Sequence, residues 1–440
     1  MHHAPPADVA EQYRAAAAAA QPDAGRRVVV IELEARETPG AIAPGFTAWT
    51  YNGQVPGPTL EARVGDVLEV RLTNRLPEPT SIHWHGLRLP AAMDGTNMTQ
   101  PLVAPGETFT YRFHLPDAGT FWYHPHANET VQIERGLSGA LVVRDVDEPV
   151  FDGEQLLVFD DVKLDRKGGL AKFGGLLEMH DGREGGLRLI SGRVEPDLTI
   201  AGEQIERWRL VNASNARYVR FSLGGVPFMV IGSDAGLIDR PRRATEALLP
   251  PGQRVEIAVG PLVEGEVLAI ESLAYDRSTV QKRKTERFGT LHVGPKRPSI
   301  AAIPAELKRI ERLAPADAAP TRRVTFDEKM SFTRGMDFTV NGRAHDQDAP
   351  VKVGELQVWD VVNGTHMDHP FHLHGFRFQV LAVDGAPLDW VGWSDVVNLP
   401  PKSTTKIAWI PDDRPGSWMY HCHVLEHHAA GMMAHFDVVR

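Results

Sequence analysis

A β-strand pattern that occurs three times along the chain is the feature that most constrains its fold. Each copy has a glycine and an acidic residue, then alternating apolar and polar residues, then an asparagine: VGDVLEVRLTN (64–74), AGEQIERWRLVN (201–212) and VGELQVWDVVN (353–363). A turn and strand that follow each copy repeat as well: VAPGETFTYRF (103–113), LPPGQRVEIAV (249–259) and LPPKSTTKIAW (399–409). Because alternation with period two indicates strands and Pro and Gly mark turns, we predict an all-β fold of sandwich or barrel domains.

These repeats divide the chain into three related units. We predict domains over residues 1–145, 146–295 and 321–440, with a linker over residues 296–320. The linker is rich in Pro and Ala and carries charges of both signs, which is typical of a segment between domains. A length of 440 residues is sufficient for two or three domains with cores of their own.

Composition argues against several classes of function. A formal net charge of −10 at pH 7 disfavours nucleic acid or an anionic membrane as the main partner. No apolar run is long enough to span a bilayer. The single cysteine excludes a disulfide within the chain and does not indicate a compartment. The N-terminal stretch lacks the apolar core of a signal peptide, so we expect any export signal to have been removed or never present.

Ten of the 19 histidines lie in four short windows: His83 and His85; His124 and His126; His369, His372 and His374; and His421, His423 and His427. Each window contains two histidines spaced by two, so on a strand both imidazoles face the same side. One such pair is weak evidence, but four pairs at repeat-related positions offer more ligands than one mononuclear site uses. We therefore predict a cluster of several metal ions where the first and third domains meet.

Six other histidines lack this spacing, and we interpret them as ordinary residues: His114, His180, His292, His345, His366 and His435.

The only cysteine, Cys422, lies between two of the paired histidines in GSWMYHCHVLEHHAAGMM (416–433). Alternation along a strand directs its thiol to the opposite face, so the thiol belongs to a different site from the flanking imidazoles. That second site is only one residue away along the chain, about 3.8 Å between Cα atoms. The related stretch GTFWYHPH (119–126) has Pro125 where Cys422 stands, so it keeps the histidine pair and lacks the thiol.

Residues near Cys422 complete a recognisable ligand set. Two imidazoles, a thiolate and a weak axial thioether are the ligands of a trigonal blue-copper electron-transfer site. The candidates for these four positions are His369, Cys422, His427 and Met432. We therefore predict a mononuclear copper site beside the histidine cluster.

The motifs HWHG, WYHPH, HPFHLHG and HCHVLEHHAAGMM are complete and in family order, and the chain resembles the multicopper oxidases, in particular the three-domain bacterial laccase-like enzymes. The resemblance implies three cupredoxin-like Greek-key β-sandwich domains and about four copper ions per chain. It implies a type 1 copper on the four residues named above and a type 2 copper on His83 and His372. The type 3 pair falls on His85, His124, His126, His374, His421 and His423. The middle domain then holds no copper ligand.

The resemblance also implies an activity: four one-electron oxidations of phenols, aromatic amines or similar reductants, coupled to reduction of dioxygen to two waters. We expect the reductant to dock against an exposed edge of His427 and its electrons to pass along Cys422 to His421 or His423. Substrate selection is expected to be loose, since the metals carry the chemistry.

Protons must also reach the cluster, and two residues bear on their supply. By resemblance, Asp94 in MDGTN matches an acid that assists oxygen reduction; a plain turn aspartate before Gly95 is an equal alternative. Many bacterial members carry an acid directly after the second type 1 histidine, where this chain has His428. His428 is either a proton shuttle, with an ordinary pKa near 6.5, or a solvated side chain.

Two rival functions stay open. A cuprous-ion oxidase for copper tolerance often uses methionine-rich insertions, and the 11 methionines here are scattered, which favours the laccase-type reading. A non-enzymatic copper-binding protein of the same fold is less favoured, because no ligand is missing. By resemblance we expect a periplasmic or secreted protein; its oligomeric state is not indicated.

Overall fold

The computed structural model describes residues 25–331 and 335–440, with only the backbone of residues 330, 331 and 335. Residues 1–24, with which the predicted first domain begins, lie outside the described part. The described residues form mainly strands, and their α-helices are short: α1 Glu129–Glu134, α2 Leu176–Asp181 and α3 Leu425–Ala429. In this part of the chain no helix has the length and apolar character needed to cross a membrane.

The first unit contains strands β1 to β8: Val28–Pro39, Thr47–Tyr51, Leu60–Arg63, Val67–Asn74, His83–His85, Thr108–His114, Gly119–His124 and Gly139–Arg144. They form two four-stranded sheets, with orders β2-β1-β4-β6 and β3-β8-β7-β5. In the second sheet β5 lies at one edge with β7 beside it, and these two strands carry histidines of the first two windows.

The second unit contains strands β9 to β20: Gly153–Val162, Leu187–Ile190, Arg193–Val194, Asp197–Gly202, Glu206–Asn212, Val219–Leu223, Phe228–Ser233, Gly236–Ala244, Glu246–Leu249, Arg254–Val259, Val267–Ser272 and Glu286–Lys296. A seven-stranded sheet has the order β11-β10-β9-β13-β18-β15-β16, and a five-stranded sheet has the order β12-β20-β19-β14-β17.

The third unit contains strands β21 to β32: Arg322–Ser331, Gly335–Val340, Asp346–Gln347, Val351–Lys352, Gln357–Asn363, His369–Leu373, Gln379–Val383, Ala386–Pro387, Val396–Leu399, Thr404–Trp409, Gly416–Cys422 and Met433–Val439. One six-stranded sheet has the order β22-β21-β25-β30-β27-β28. The other has the order β23-β32-β31-β26-β29, with β24 pairing to β32.

The sequence repeats correspond to one recurring arrangement. In every unit the first repeat forms a strand (β4, β13 or β25) that runs parallel to the unit's first strand and antiparallel to the strand of the second repeat. The closing asparagine donates its side-chain amide, at 2.8 Å each time, to the carbonyl that opens the second repeat: Asn74 to Val103, Asn212 to Leu249 and Asn363 to Leu399. The asparagine therefore recurs because a buried amide holds the two repeats together.

Apolar packing links the outer units. Trp84 of the first unit and Trp359 and Trp418 of the third belong to one continuous cluster of buried side chains. The second unit has a core of its own, around Trp208 and Phe221. The segment 296–320, which the sequence predicts to be a linker, contains no helix, and its last part packs against the third unit, where Leu313 donates its backbone N–H to Gln379 at 2.8 Å.

Candidate metal centre

Strand register brings the paired histidines together within each outer unit. His83 on β5 lies opposite His124 on β7, and His372 on β26 lies opposite His421 on β31. Since side chains directly opposite on antiparallel strands are neighbours, each unit presents two histidine pairs on one face. The local pattern of two-residue spacing thus produces two four-histidine half-sites.

The two half-sites meet across the boundary between the first and third units. The rings of His85 and His372 stack with centroids 3.8 Å apart, and those of His83 and His374 stack at 3.9 Å. His423 completes the contact, with its ring centroid 5.0 Å from that of His85. Eight imidazoles from residues far apart in sequence therefore form one buried cluster.

Hydrogen bonds to oxygen atoms show which ring nitrogen carries the proton. Because a carbonyl oxygen only accepts, the Nδ1–H groups of His83 and His372 donate to the backbone oxygens of Asp94 (2.8 Å) and Asp395 (2.9 Å). In the same way His421 donates from Nδ1 to the Cys422 carbonyl at 2.8 Å. In these neutral rings Nε2 is then an unprotonated acceptor.

The unprotonated nitrogens face one another. Nε2 of His83 lies 3.4 Å from Nε2 of His372, and Nε2 of His374 lies 3.0 Å from Nε2 of His421. Two acceptors at this distance cannot hydrogen-bond to each other, whereas a cation between them would satisfy both. Nitrogens bound to one ion at about 2.0–2.1 Å lie about 3 Å apart, so the spacing fits shared metal ligation.

Unpaired buried nitrogens point to the same conclusion. Both ring nitrogens of His423 and Nε2 of His126 have no hydrogen-bond partner among the described residues. Buried polar atoms without partners are rare in folded proteins, and a bound ion is one of the accepted reasons for them. The residues of the cluster therefore fit the several metal ions that the sequence predicts.

A second cluster surrounds the thiol. Nδ1 of His369 lies 3.4 Å from Sγ of Cys422 and 3.1 Å from Nδ1 of His427, and Sγ lies 3.6 Å from Nδ1 of His427. His427 donates from Nε2 to a carbonyl, so its Nδ1 is unprotonated and available. Phe338 stacks on the His427 ring at 4.1 Å. A thiol and two imidazoles thus converge in a dry pocket, the donor set of a blue-copper site.

Met432 lies beside this cluster. It is fully buried, its backbone N–H donates to the His427 carbonyl, and its carbonyl accepts from the Cys422 N–H, both at 3.0 Å. The turn after α3 therefore brings Met432 back to the strand that carries the thiol.

Burial keeps these imidazoles neutral and the thiol protonated when no metal is bound. It lowers the pKa of His126, His423 and His427 to about 3, and burial raises the pKa of the Cys422 thiol to about 12. The pKa falls well below its usual range, again mainly through burial, for His85, His124, His369, His372, His374 and His421. The nitrogen lone pairs are then free for a metal at neutral pH.

Asp94 contacts histidines from both half-sites. Its carboxylate accepts from Nδ1 of His374 at 2.8 Å and lies 3.3 Å from Nδ1 of His83, whose proton goes to the Asp94 carbonyl. Asp94 is 1% exposed. It therefore contacts two histidines from different units, which a plain turn residue does not require.

The structure adds an acidic residue to the surroundings of His428. Far from being solvated, His428 is buried, stacks on His421 with centroids 4.3 Å apart, and contacts the carboxylate of Glu129 on α1. Glu129 also lies 3.7 Å from Nε2 of His126. A carboxylate from the first unit thus approaches the position that His428 occupies in the third unit. No signal in the sequence marked Glu129.

The predicted exposure of His427 is wrong. Its side chain is fully buried, and its Nε2–H donates to the backbone carbonyl of His180 at 2.9 Å. His180 belongs to α2 of the second unit, which the sequence gave no reason to place here. Asp181 anchors this segment, because its carboxylate accepts the N–H groups of Val280 (3.0 Å) and Gln281 (2.8 Å). The helix therefore covers the edge where contact with a reductant was expected.

Comparisons with known proteins agree with this architecture. Family models described as multicopper oxidase match residues 37–148 and 315–440. A multicopper oxidase of Staphylococcus epidermidis is 31% identical over 88% of this chain and 83% of its own length. A laccase of Bacillus subtilis is 26% identical over 90% of this chain and 91% of its own length. A solved multicopper oxidase from Campylobacter jejuni, described as a metallo-oxidase, is 29% identical, with a TM-score of 0.84, covering 95% of this chain and 93% of its own.

The β-sheets match a solved multicopper oxidase structure, which confirms the predicted all-β, cupredoxin-like fold class, and the buried histidine and cysteine clusters are those of a metalloprotein. With these matches, the chain belongs to the multicopper oxidase family. Copper is the metal that this family implies, and the donor sets described above suit it.

Proposed function

We propose that the protein is a laccase-type oxidase in which the cluster around Cys422 takes electrons from an organic reductant and the histidine cluster reduces dioxygen. A type 1 copper is assigned to His369, Cys422, His427 and Met432. A type 2 copper is assigned to His83 and His372. The type 3 pair is assigned to two triads, within each of which the ring centroids lie 5.0 to 5.7 Å apart: His85, His124 and His423; and His126, His374 and His421.

One observation carries the proposal: three consecutive residues join the two clusters. The Cys422 thiol faces His369 and His427, while the rings of His421 and His423 lie in the other cluster. Any metal held by the thiol is therefore connected to the histidine cluster by one residue of backbone. A short covalent path between two sites suits transfer of single electrons.

Copper, when bound, supplies one-electron redox chemistry and the reduction of oxygen. The chain's own residues hold the ligands, exclude water and supply protons. Phe338 and the buried core keep the thiol dry, and Asp94 keeps His83 and His374 oriented. Asp94 also lies close enough to the cluster to pass a proton to reduced oxygen, as does the pair formed by Glu129 and His428.

The substrate class follows from what covers His427. On the outside of α2 and just before it, three large apolar side chains are exposed: Phe173 (36%), Leu176 (68%) and Leu177 (44%). A flat aromatic reductant can bury its ring on such a surface and pass its electron through the His180 carbonyl region to His427. Phenols and aromatic amines are the reductants that combine a ring with an accessible one-electron oxidation.

Cuprous ion is the second candidate substrate, and the positions of two methionines favour it. Met179 of α2 and Met336 of β22 are both partly buried against the core that contains Cys422. Thioethers are soft ligands that select cuprous ion. The relative from Campylobacter jejuni, described as a metallo-oxidase, makes this alternative worth a direct test.

A kinetic comparison tests the two. We expect oxygen uptake with a methoxyphenol to saturate and to exceed that with cuprous ion, because the exposed surface of α2 is apolar. Leu176→Ser with Leu177→Ser should raise KM for the phenol several-fold and leave the blue absorption unchanged. Saturable and much faster turnover of cuprous ion, unaffected by the leucine changes but slowed by Met179→Leu, would reverse the assignment. Copper binding without oxygen consumption would leave only a copper-storage protein.

The remaining features of the proposal come from the family. We propose three domains over residues 1–145, 146–295 and 321–440 with a linker over residues 296–320, a site of action in the periplasm or outside the cell, and small reductants and dioxygen as the partners.

A further inference from the structure

Arg254 is a buried cation in the unit that carries none of the ten histidines in the four windows. It opens β18 within the LPPGQR turn, and its side chain is fully buried. Burying a guanidinium is unfavourable by several kcal/mol unless its donors are all paired. The burial of Arg254 therefore indicates that its charge has a specific role in the structure.

Its five N–H donors are all used, and they reach three units. Nε donates to the carbonyl of Thr120 in the first unit at 2.9 Å. Nη1 and Nη2 bind the two carboxylate oxygens of Asp395 in the third unit at 2.6 and 2.5 Å. The remaining donors bind the carbonyls of Gly252 (3.1 Å) and Asp234 (3.2 Å) in the second unit. One side chain therefore ties together the three units at a single point.

Asp395 in turn contacts histidines from both half-sites. Its Oδ1 lies 2.9 Å from Nε2 of His85, and its backbone carbonyl accepts from Nδ1 of His372 at 2.9 Å. Asp234 holds the backbone of Asp395 by accepting its N–H at 3.1 Å. The fork of Arg254 permits one orientation of the Asp395 carboxylate, because both oxygens are bound at once.

This orientation places the carboxylate beside the histidine cluster. Oδ1 of Asp395 lies 2.9 Å from Nε2 of His85, although the two atoms are not aligned for a hydrogen bond, and Nδ1 of His85 lies 3.4 Å from Nε2 of His124. Loss of the Arg254 contact would free the carboxylate beside the His85 ring and loosen the residue whose backbone carbonyl holds Nδ1 of His372. Both rings could then leave the positions in which they face the other histidines.

We propose that Arg254 is a positioning residue of the oxygen-reducing cluster, through which the unit without copper ligands holds His85 and His372 in the geometry that binds metal. The proposal rests on the assignment of these histidines to that cluster. Partners of metal-binding histidines typically change metal affinity by about 10- to 100-fold when removed. We expect a loss of that size for the ions of the histidine cluster, with the ion at Cys422 held as in the parent protein.

The test measures copper retained per chain, together with the blue absorption, after copper-free protein is loaded and dialysed against a graded copper chelator. Arg254→Gln removes the charge and the fork, and Arg254→Lys keeps the charge alone. Asp395→Asn retains the volume of the side chain and weakens the same contact. Arg207→Gln is the matched control, because Arg207 is a buried arginine on the neighbouring strand β13 that pairs with Glu256 and Glu148 and contacts no histidine.

We expect Arg254→Gln and Asp395→Asn to lose copper at about 10- to 100-fold lower chelator concentration while the blue band remains, with Arg254→Lys in between. The double variant should be no worse than either single variant, because both changes break one contact. Arg207→Gln should lower stability and leave copper retention unchanged.

Two results would overturn the inference. If Arg254→Gln and Asp395→Asn retain copper as the parent does, with only a lower unfolding temperature, Arg254 merely joins the units. If Arg207→Gln loses as much copper as Arg254→Gln does, the loss is not specific to the contact with Asp395, and the inference is likewise wrong. If the parent itself retains only the ion responsible for the blue band, the proposed function fails, and this inference fails with it.

Discussion

Hydrogen bonds from single residues determine which nitrogen is unprotonated in four of the clustered imidazoles. Backbone carbonyls accept one ring proton from His83, His372 and His421, and the Asp94 carboxylate accepts the proton of His374. These contacts leave the opposite nitrogens turned inward and unprotonated. Ligand geometry is therefore set before any metal arrives, which is the purpose such hydrogen bonds generally serve.

Substitutions of Asp94 can separate its role in orienting histidines from its role in supplying protons. In Asp94→Asn a side-chain oxygen can still accept from Nδ1 of His374, so copper content should stay close to that of the parent. The amide cannot donate a proton as an acid does, so oxygen consumption should fall about 100-fold. Asp94→Ala should lose both copper and activity, because it also removes the acceptor. Parent-like turnover of Asp94→Asn would show that Asp94 only orients.

Cys422 allows a second residue-level prediction. Cys422→Ser removes the soft ligand and the path to the histidine cluster, so the blue colour and the oxidation of reductants should disappear together. Copper in the histidine cluster should remain, giving about one ion fewer per chain by metal analysis. Retained blue absorption in this variant would exclude Cys422 as the type 1 ligand.

Among the secondary-structure elements, the sequence predicts the effect of strand alternation but not the position of a short helix. Alternation along β31 separates the thiol from its flanking histidines, as the sequence predicts. Helix α2 supplies a backbone carbonyl instead of a side chain, so the pattern of residue types could not reveal it. Elements that cover a site through backbone atoms leave no chemical signature in the sequence.

Gly182, which ends α2, should be essential for this cover. Its φ of 83° is in the left-handed region, and a Cβ there would lie 2.3 Å from Cβ of Ala216 and 2.8 Å from Cγ1 of Val424. Gly182→Ala should therefore lower the free energy of unfolding by about 2–4 kcal/mol. It should also shift the blue absorption, because α2 must move relative to His427.

Gly186→Ala is the control for this change, since a Cβ at Gly186 meets no atom within 4 Å. Urea unfolding and the visible spectrum of the two variants provide the comparison. Equal stability of the two variants would contradict the tight packing of Gly182.

For the molecule as a whole, buried histidines whose pKa is lowered make the copper-free protein sensitive to acid. Burial lowers the pKa of His126, His423 and His427 to about 3, below the ordinary value near 6.5 that they regain on unfolding. The unfolded chain thus binds more protons below pH 6.5, so stability is complete above that pH and is lost as the pH falls towards 3. Each such histidine lowers the free energy of unfolding by up to about 1.4 kcal/mol for each pH unit of acidification between these two values.

Urea unfolding of copper-free protein between pH 7.5 and about 5 measures this effect. The midpoint should fall steeply with acidification, and copper-loaded protein should have the higher midpoint at every pH in this range, because metal binding stabilises the folded state. A midpoint independent of pH in the copper-free protein would mean that the histidines are accessible to water.

The local sequence pattern is sufficient to predict much of this architecture. Period-two alternation and the thrice-repeated asparagine indicate related β-units, because strand formation depends on residues near in sequence and the asparagine recurs at the same place in each repeat. The identity and spacing of the candidate ligands are likewise local, since two histidines spaced by two on a strand always share a face. These features predict the fold class and the chemistry of the site.

Contacts between distant segments account for the rest. Glu129 reaches His428, α2 covers His427, and Arg254 reaches Asp395, in each case from a different unit of the chain. No periodicity links such residues; they meet because the apolar faces of the units pack together and leave one arrangement in which buried charges are paired. The residue types of the candidate ligands can thus be identified from short motifs. The orientation of these residues, the helix that covers them and the carboxylates around them result from packing between units.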